Sequence, residues 1–181
     1  FLWMAMETDC SLILGGNTGS GKTSTLNALF EFVPKDERII VVEETPEISL
    51  RHRHLVKLNV AEHLGIGMKE LIVDTLRMRP DRIVVGEVRN AEEVSAFMDT
   101  LLAGQGKGSY ATFHALSGGE ALTRLKKLGV LEMDLASIDL IAVQKRWNSI
   151  DLVHNVRREV RRIIEVSEVL PNEGRAKLNT L

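Results

Sequence analysis

Runs of consecutive aliphatic residues alternate along the first two thirds of the chain with segments in which apolar residues recur every three or four positions. A strand buried on both faces of a parallel sheet is aliphatic throughout, and the second spacing is typical of helices packed on one face. The alternation therefore predicts an α/β fold with a mostly parallel central sheet flanked by helices. The predicted strands cover residues 11–16, 38–44, 82–88 and 108–115, and the predicted helices cover residues 22–33, 67–78 and 90–104.

The last third of the chain follows a different pattern, in which helical spacing gives way to short alternating segments. The fold is therefore predicted to end in a small helical and β-hairpin portion. Helices are predicted at 117–130 and 134–140, short strands at 141–147, 149–160 and 161–170, and a loosely held tail after Pro171.

Composition limits the classes of protein and partner. The 181 residues carry a net charge of −2, so no overall positive field attracts nucleic acid, and direct nucleic-acid binding is not expected. The single cysteine, Cys10, excludes an internal disulfide and a zinc site built from several cysteines. No apolar run approaches the roughly 20 residues needed to cross a bilayer. The chain begins at Phe1, inside a predicted amphipathic helix, and we expect it to be an excised domain.

The segment GNTGSGKT, residues 16–23, matches the pattern G-x-x-x-x-G-K-[ST] between a predicted strand and a predicted helix. Glycines in such a loop let backbone N–H groups surround a phosphate, and the positive end of the following helix dipole points at the same anion. Lys22 is expected to bridge the β- and γ-phosphates, and the Thr23 hydroxyl is expected to bind Mg²⁺. The predicted cofactor-binding residues are Gly16, Asn17, Thr18, Gly19, Ser20, Gly21, Lys22, Thr23 and Ser24.

Acidic and histidine side chains follow the next three predicted strands. Glu43 and Glu44 end the second strand, Glu87 lies near the end of the third, and His114 lies near the end of the fourth. Because the carboxyl ends of parallel strands meet at the edge where ligands bind, we expect these side chains to lie together. Hydrolysis needs a carboxylate to orient water and acids to hold the hydration shell of the metal. Each residue alone is also compatible with an ordinary strand-end or structural role, and their succession is what favours a site.

Four segments in order, GGNTGSGKTSTLNAL, ERIIVVEETPEI, LRMRPDRIVVGEVRNAEE and GSYATFHA, resemble the nucleotide-site boxes of one superfamily. They are similar to the Walker A, Asp box, atypical Walker B and His box of the secretion and pilus-motor ATPases. That superfamily drives type II and type IV secretion, conjugation, type IV pili and the archaellum. The resemblance extends over roughly residues 1–170 and implies a RecA-like P-loop NTPase domain that binds ATP and Mg²⁺ and hydrolyses ATP.

The resemblance also implies roles for single residues by their position in the boxes. Glu44 matches the acid that helps to polarise the attacking water, with Glu43 as its neighbour. His114 matches the histidine thought to sense the γ-phosphate. The implied catalytic residues are Lys22, Glu44, Glu87 and His114, and the implied metal-binding residues are Thr23 and Glu87.

The chain departs from the family pattern in three respects. Glu44 stands where aspartate is common, so the acid is kept on a longer side chain. The single cysteine excludes the four-cysteine zinc insertion of many type II secretion members, which favours the conjugation, tight-adherence-pilus or archaeal branch. Third, the resemblance covers only the C-terminal part of the family pattern, so we expect residues 1–181 to be a single C-terminal ATPase domain, without the N-terminal domain of the family, that is weakly active alone.

The family implies a motor that powers protein secretion or the assembly of a pilus or archaellum. Its full-length members form homo-hexameric rings that act on a membrane platform protein, so the expected location is the cytoplasm, at the inner face of the cell membrane. Membrane association is expected through partners. Two other functions stay open: a nucleic-acid translocase or helicase on the same RecA-like core, which DNA or RNA would stimulate, and a nucleotide-gated scaffold that never hydrolyses ATP.

Basic residues around the Walker B glutamate and outside the boxes carry a weaker signal. Arg77, Arg79 and Arg89 flank the Walker B segment and suit either the site, a subunit interface or surface pairing. Residues 51–54 (RHRH) are favoured as a loop without a site role. The basic runs at 124–127 and 157–162 are predicted to form a solvated face or a subunit rim, in preference to a surface for nucleic acid or acidic lipid.

Apolar residues of unusual size complete the predicted interior. Trp3 and Trp147 are predicted to lie in the core or at an interface, and Met68, Met78 and Met98 are predicted to pack helices against the sheet.

Overall fold

The computed structural model describes residues 1–104, 106–151 and 156–181. Within them, one eight-stranded sheet forms the centre of the fold. Its strands are β1 (Leu12–Gly15), β2 (Ile39–Glu43), β3 (Leu55–Asn59), β4 (Arg82–Val85), β5 (Gly108–Phe113), β6 (Leu140–Asp151), β7 (Val156–Asn172) and β8 (Arg175–Thr180). The helices are α1 (Leu2–Glu7), α2 (Lys22–Phe30), α3 (Met68–Thr75), α4 (Ala91–Leu102) and α5 (Gly118–Lys127), with short 3₁₀ helices at Glu62–Leu64 and Asp134–Ser137.

The strand order is β3-β2-β4-β5-β1-β6-β7-β8. The first six strands in this order are parallel neighbours, and β7 and β8 add antiparallel at one edge. Parallel pairing requires crossover connections, and helices supply most of them here. The predicted α/β fold with a mostly parallel sheet is therefore confirmed, with β1 in its interior.

Alternating side chains of the strands feed two apolar layers, one on each face of the sheet. In β1, Ile13 points to the layer covered by α3, α4 and α5, whereas Leu12 and Leu14 point to the layer covered by α1 and α2. The period of two along a strand explains the split. Helices cover both layers, so the central strands are buried on both faces and are aliphatic throughout.

Several sequence predictions about the edges of the fold are wrong. Residues 55–59 form β3, which was not predicted, because its half-buried pattern lacks a continuous apolar run. The tail predicted to be loose forms β8, which pairs with the end of β7 from Ser167↔Thr180 to Asn172↔Arg175. The predicted helix 134–140 is only a 3₁₀ turn before β6 begins.

The predicted strands at 149–160 and 161–170 do not exist as separate units. Residues 149–151 end β6, residues 156–172 form the single strand β7, and residues 152–155 lie outside the described part of the chain. The pairing of β7 with β6 runs continuously through residues 160 and 161, so the structure has no break between the two predicted strands there.

The two tryptophans are not in the core. Trp3 is 47% exposed and Trp147 is 41% exposed, so an interface role for them stays a prediction. Met68 and Met98 are buried against the sheet as predicted, and Met78 is half-buried.

A buried polar network ties the loops together at the amino ends of the strands. Arg82 is fully buried and donates from Nε to Glu37 Oε2 at 2.6 Å and from Nη2 to Glu37 Oε1 at 3.3 Å. Its Nη1 donates to the Thr8 carbonyl at 2.9 Å and to the Tyr110 hydroxyl. Lys107 adds a bond to Glu37 Oε1 at 3.0 Å. Each buried charge is thus paired, which is the condition for burying it.

Breaking this network is predicted to destabilise the fold strongly. Among the described residues, Arg82→Met leaves the buried Glu37 carboxylate with Lys107 as its only cation, and we expect a loss of about 3–5 kcal/mol in the free energy of unfolding. The matched control is Lys69→Met, which removes the exposed Lys69–Glu92 pair and is expected to cost less than about 1 kcal/mol. Urea unfolding of both variants measures the difference, and equal losses would contradict the prediction.

The same network predicts a pH dependence. Burial raises the pKa of Glu37, but the hydrogen bonds from Arg82 and Lys107 outweigh it, and the pKa lies below its ordinary value. A depressed pKa contributes stability above the unfolded value of about 4.3, and that contribution is lost as pH falls through the folded pKa. The stability difference between the wild type and Glu37→Gln should therefore shrink as urea unfolding is repeated at falling pH below about 4.3. A difference that stays constant with pH would argue against the ionised pair.

Candidate functional site

A cavity of about 700 Å³ lies at the carboxyl ends of β1, β2, β4 and β5. Its wall includes six residues of the predicted phosphate loop and α2 start: Thr18, Gly19, Gly21, Lys22, Thr23 and Ser24. The predicted Glu44, Glu87 and His114 line it as well. The sheet edge thus brings together predicted site residues that are up to 96 positions apart in the chain, from Thr18 to His114.

The phosphate loop joins β1 to α2 by a turn that L-residues with side chains rarely adopt. Gly19 has φ 73° and Gly21, which precedes α2, has φ 96°. Both lie in the left-handed region, where the absence of Cβ removes the steric penalty. The turn exposes the first N–H groups of α2 at the cavity, which is the arrangement that binds anions.

Side chains of the loop are already organised. Lys22 Nζ donates to the carbonyls of Gly16 at 2.9 Å and Asn17 at 3.3 Å, so the lysine folds back over its own loop. Burial lowers the pKa of Lys22, although Glu87 and Glu47 act in the opposite direction. The Ser20 hydroxyl is buried beneath the loop, and no described residue gives it a hydrogen-bond partner.

One ion-pair cluster joins the residues predicted at the three strand ends. Glu87 Oε1 lies 2.7 Å from His114 Nε2, and Glu87 Oε2 pairs with Arg89 Nε at 2.6 Å. Arg89 also pairs with Glu44 through Nη1. The hydrogen bond that Arg89 donates to Glu87 is the main reason that the pKa of Arg89 is raised. Of the three arginines considered from sequence, Arg89 lines the cavity; Arg77 and Arg79 are absent from its wall among the described residues.

Glu43 and Glu44 are neighbours in sequence but occupy different environments. The side chain of Glu44 is 47% exposed, whereas Glu43 is 2% exposed. Glu43 Oε1 accepts backbone N–H bonds from Glu47 at 2.9 Å and Ile48 at 2.7 Å. Its Oε2 is buried, and no partner for it exists in the part of the chain that the structure describes. Glu43 lines the cavity, so this carboxylate is fixed in place with one oxygen unpaired.

Glycine at position 86 makes room for this carboxylate. A Cβ at Gly86 would lie 3.2 Å from Glu43 Cγ, a contact that only a shift of the neighbour relieves. Thr112 closes the same region by donating from Oγ1 to the Gly86 carbonyl at 2.6 Å. A side chain at the residue before Glu87 would therefore push the Glu43 side chain by a few tenths of an ångström.

Sequence reasoning missed several residues of the site. Glu47 accepts a hydrogen bond from Thr23 Oγ1 at 3.1 Å and lies in the same EETPE segment as the predicted acids, so its type and place were a usable signal. Gln144 and Arg161 come from β6 and β7, and nothing local in their sequence indicates a contact with the phosphate loop.

The oxygen atoms available suit Mg²⁺. The Thr23 hydroxyl and the carboxylates of Glu47 and Glu87 line the cavity, and hard oxygen donors are the ligands that this ion prefers. No cluster of three metal-ligating His, Cys, Asp or Glu residues occurs among the described residues. A magnesium ion here would therefore depend on nucleotide phosphates and water for most of its ligands.

Two of the other clusters named from sequence, residues 51–54 and 124–127, lie outside the cavity. His52 Nε2 is 3.1 Å from the Pro34 carbonyl, and its Nδ1 accepts from the His54 backbone, so the RHRH segment has a local structural role. Arg124 stacks 5.2 Å from the Phe113 ring centroid and donates to the His114 carbonyl. It supports the strand end that carries the histidine. None of the helices in the described ranges is both long and apolar enough to span a membrane.

Comparison with known proteins agrees with this geometry. Residues 1–170 match the sequence model of the family described as Type II/IV secretion system protein. The chain is 38% identical over 180 residues to a putative conjugal transfer protein of Mycobacterium tuberculosis, covering 94% of this chain and 49% of that protein. It is 36% identical over 164 residues to the type IV secretion system protein VirB11 of Bartonella henselae, covering 81% and 45% respectively.

Solved structures give the same result. The VirB11 ATPase of the Brucella suis type IV secretion system, in complex with sulphate, superposes with a TM-score of 0.74 at 26% identity, over 92% of this chain and 50% of that one. The pilus retraction motor PilT with bound ADP superposes with a TM-score of 0.64 at 20% identity, over 88% and 50%, a likeness of fold. The chain spans about half the length of the relatives that it matches. Fold, site and sequence together establish that this chain belongs to the type II/IV secretion system protein family.

Proposed function

We propose that this chain is the Mg-ATP-binding and ATP-hydrolysing domain of a motor that powers protein secretion or the assembly of a pilus or archaellum. The observation that carries the proposal is the single cavity in which the loop of Lys22 and Thr23 faces Glu43, Glu44, Glu87 and His114. The sulphate bound by the related VirB11 ATPase is an oxyanion of the size and charge of a phosphate group, which supports an anion site in this fold.

The phosphates would lie on the loop between β1 and α2. Backbone N–H groups and the α2 dipole attract them, and Lys22 would exchange its bonds to the Gly16 and Asn17 carbonyls for the β- and γ-phosphate oxygens. Thr23, with Glu87 nearby, would hold the magnesium ion, which neutralises developing phosphate charge. Thr23 would have to release Glu47 to do so.

The water that attacks the γ-phosphate needs a fixed carboxylate beside it. Glu44, the sequence prediction for this role, is exposed and paired with Arg89. Glu43 lines the cavity and is held by two backbone N–H bonds, and its other carboxylate oxygen is buried with no hydrogen-bond partner among the described residues, so it competes for the role. We propose that Glu43 orients the water and that Glu44 and His114 position Arg89 and Glu87 around the γ-phosphate.

The wider setting is also a proposal. We propose that the full-length protein forms a homo-hexameric ring, acts on a membrane platform protein from the cytoplasm, and reaches the inner face of the membrane through its partners. The relatives that support this act in conjugal transfer or type IV secretion by their names. Nucleic acid has no part in this proposal.

Loss of nucleotide binding in Lys22→Ala tests the phosphate site. Removing the ammonium removes the cation that meets the phosphates, and we expect ADP and ATP to bind at least about tenfold more weakly in a fluorescent-nucleotide titration. Lys35→Ala, a surface lysine away from the loop, is the matched control and should bind like the wild type. Equal affinities of wild type and Lys22→Ala would contradict the proposal.

Two glutamine variants separate the carboxylates. Glu43→Gln keeps an oxygen for the two backbone N–H bonds but removes the charge, and we expect ATP turnover to fall by at least about 100-fold with nucleotide affinity retained. Glu44→Gln is expected to lower turnover by about tenfold or less. The reverse order would return the role to Glu44.

Turnover per subunit measured against protein concentration tests the ring. A rise with concentration is expected if neighbouring subunits complete each site, with Lys22→Ala as the blank. Turnover that is flat and well above the blank would show that one chain holds a complete site. Acceleration by added DNA or RNA would favour the translocase alternative instead.

A further inference from the structure

The antiparallel ribbon of β6 and β7 continues past the end of the strand beside it. Gly15, the last residue of β1, pairs with Val143, and the ladder between β6 and β7 then runs on from Gln144 to Asp151. The register shifts between Val143 and Gln144, which marks an irregularity where the ribbon leaves β1. Because the phosphate loop starts directly after Gly15, the free part of the ribbon passes over that loop.

One face of the ribbon lies against the phosphate loop. A Cβ at Gly19 would be 2.9 Å from Arg146 Nη1, and a Cβ at Gly21 would be 3.0 Å from Gln144 Nε2 and 3.6 Å from Arg161 Cδ. Gln144 also accepts a hydrogen bond from Thr25 Oγ1 of α2 at 2.7 Å. The ends of the Arg146 and Gln144 side chains therefore lie in close contact with the phosphate loop.

The charges on that face are arranged unfavourably unless an anion joins them. Arg146 and Arg161 are direct cross-strand partners, and like charges in that position repel. Glu159 lies on the same face, accepts a hydrogen bond from Arg161 Nη2 at 2.7 Å and forms a longer ion pair with Arg146 Nη1 at 3.6 Å. All three side chains are about half exposed, and ion pairs of that kind are weak. The Glu159 carboxylate thus pairs weakly with both the Arg146 and the Arg161 guanidinium groups.

The position of the ribbon determines which part of a nucleotide it would meet. Glu44, Glu87 and His114 follow strands on one side of β1, whereas the ribbon lies on the other side. Arg161 lines the same cavity as Lys22 and those acids. If the γ-phosphate lies beside Glu44, Glu87 and His114, then the two arginines, on the other side of β1, lie nearer to the α- and β-phosphates.

We propose that Arg146 and Arg161 bind the α- and β-phosphates of the nucleotide from within the same chain, and that Glu159 holds them until the phosphates displace it. The planar guanidinium suits phosphate oxygens, and a diphosphate offers more charge than one carboxylate. The proposal rests on the proposed nucleotide-binding function. It assigns a binding role to part of the basic run at 157–162, which the sequence alone favoured as a solvated face or subunit rim.

Nucleotide titration of ribbon variants tests the proposal. Arg146→Gln and Arg161→Gln are each expected to weaken the binding of ADP and of ATP about tenfold and to the same extent. Arg162→Gln is the matched control, because it removes the same charge from the next residue of β7. Arg162 lies opposite Lys145 in the strand register and points to the opposite face of the ribbon. Its affinity should equal that of the wild type, and thermal unfolding without nucleotide should show all three variants folded.

Glu159→Gln gives an effect of the opposite sign. It frees the arginines, and we expect nucleotide to bind about threefold more tightly, because a weak surface pair no longer competes. This gain should vanish when Glu159→Gln is combined with Arg146→Gln and Arg161→Gln. Weaker binding by Glu159→Gln alone would overturn its role as a displaceable partner, since a merely structural residue loosens the site when removed.

The outcomes distinguish this proposal from the function on which it rests. If Lys22→Ala loses affinity while the two arginine variants bind like the wild type, the ribbon proposal fails and the nucleotide site stands. If the wild type binds neither ADP nor ATP, both fail. A loss confined to ATP would place the arginines at the γ-phosphate and overturn their assignment to the α- and β-phosphates.

Discussion

The turn that carries the chain from β1 into α2 is the constraint on which the site depends. It begins at an interior strand of a parallel sheet, so it opens at the carboxyl edge where the neighbouring strands also end. Its left-handed glycines aim the first N–H groups of α2 at one cavity. The same turn sets the position of β6 on its other side, because Gly16 lies so close to the Gln144 carbonyl that a Cβ there would fall 2.5 Å from it.

The two edges of the sheet use charge in different ways. At the amino edge, Arg82 and Glu37 are buried and paired with each other, which fixes β4 against the three loops that carry Thr8, Glu37 and Lys107. At the carboxyl edge, Arg89, Glu44 and Glu87 are partly exposed, and Glu43 keeps an unpaired oxygen. Saturated pairs suit a permanent support, whereas exposed or incomplete ones suit groups that must exchange partners with a charged ligand.

The described residues therefore combine a buried apolar core with a polar edge whose hydrogen bonds and ion pairs are partly exposed. Lys22 bonds to its own loop, Thr23 to Glu47, and Arg146 and Arg161 to Glu159. Under the proposed function, each of these bonds joins a group suited to phosphate or metal with a partner that a nucleotide would replace. A site prearranged in this way keeps its cations near their ligand while limiting their mutual repulsion.

The sequence by itself determined the sheet, its helices and the box residues, because aliphatic runs and a glycine-rich turn are local signals that need no distant partner. It predicted Lys22, Thr23, Glu44, Glu87 and His114 at one edge, and they line one cavity. The tertiary structure alone decided the rest. The difference between Glu43 and Glu44 arises from backbone N–H groups of a later turn, β8 exists because β7 offers it an edge, and Arg146 and Arg161 reach the loop only through strand pairing. The contacts of Arg146 and Arg161 with the loop join residues more than a hundred positions apart, and such contacts leave no trace in local patterning.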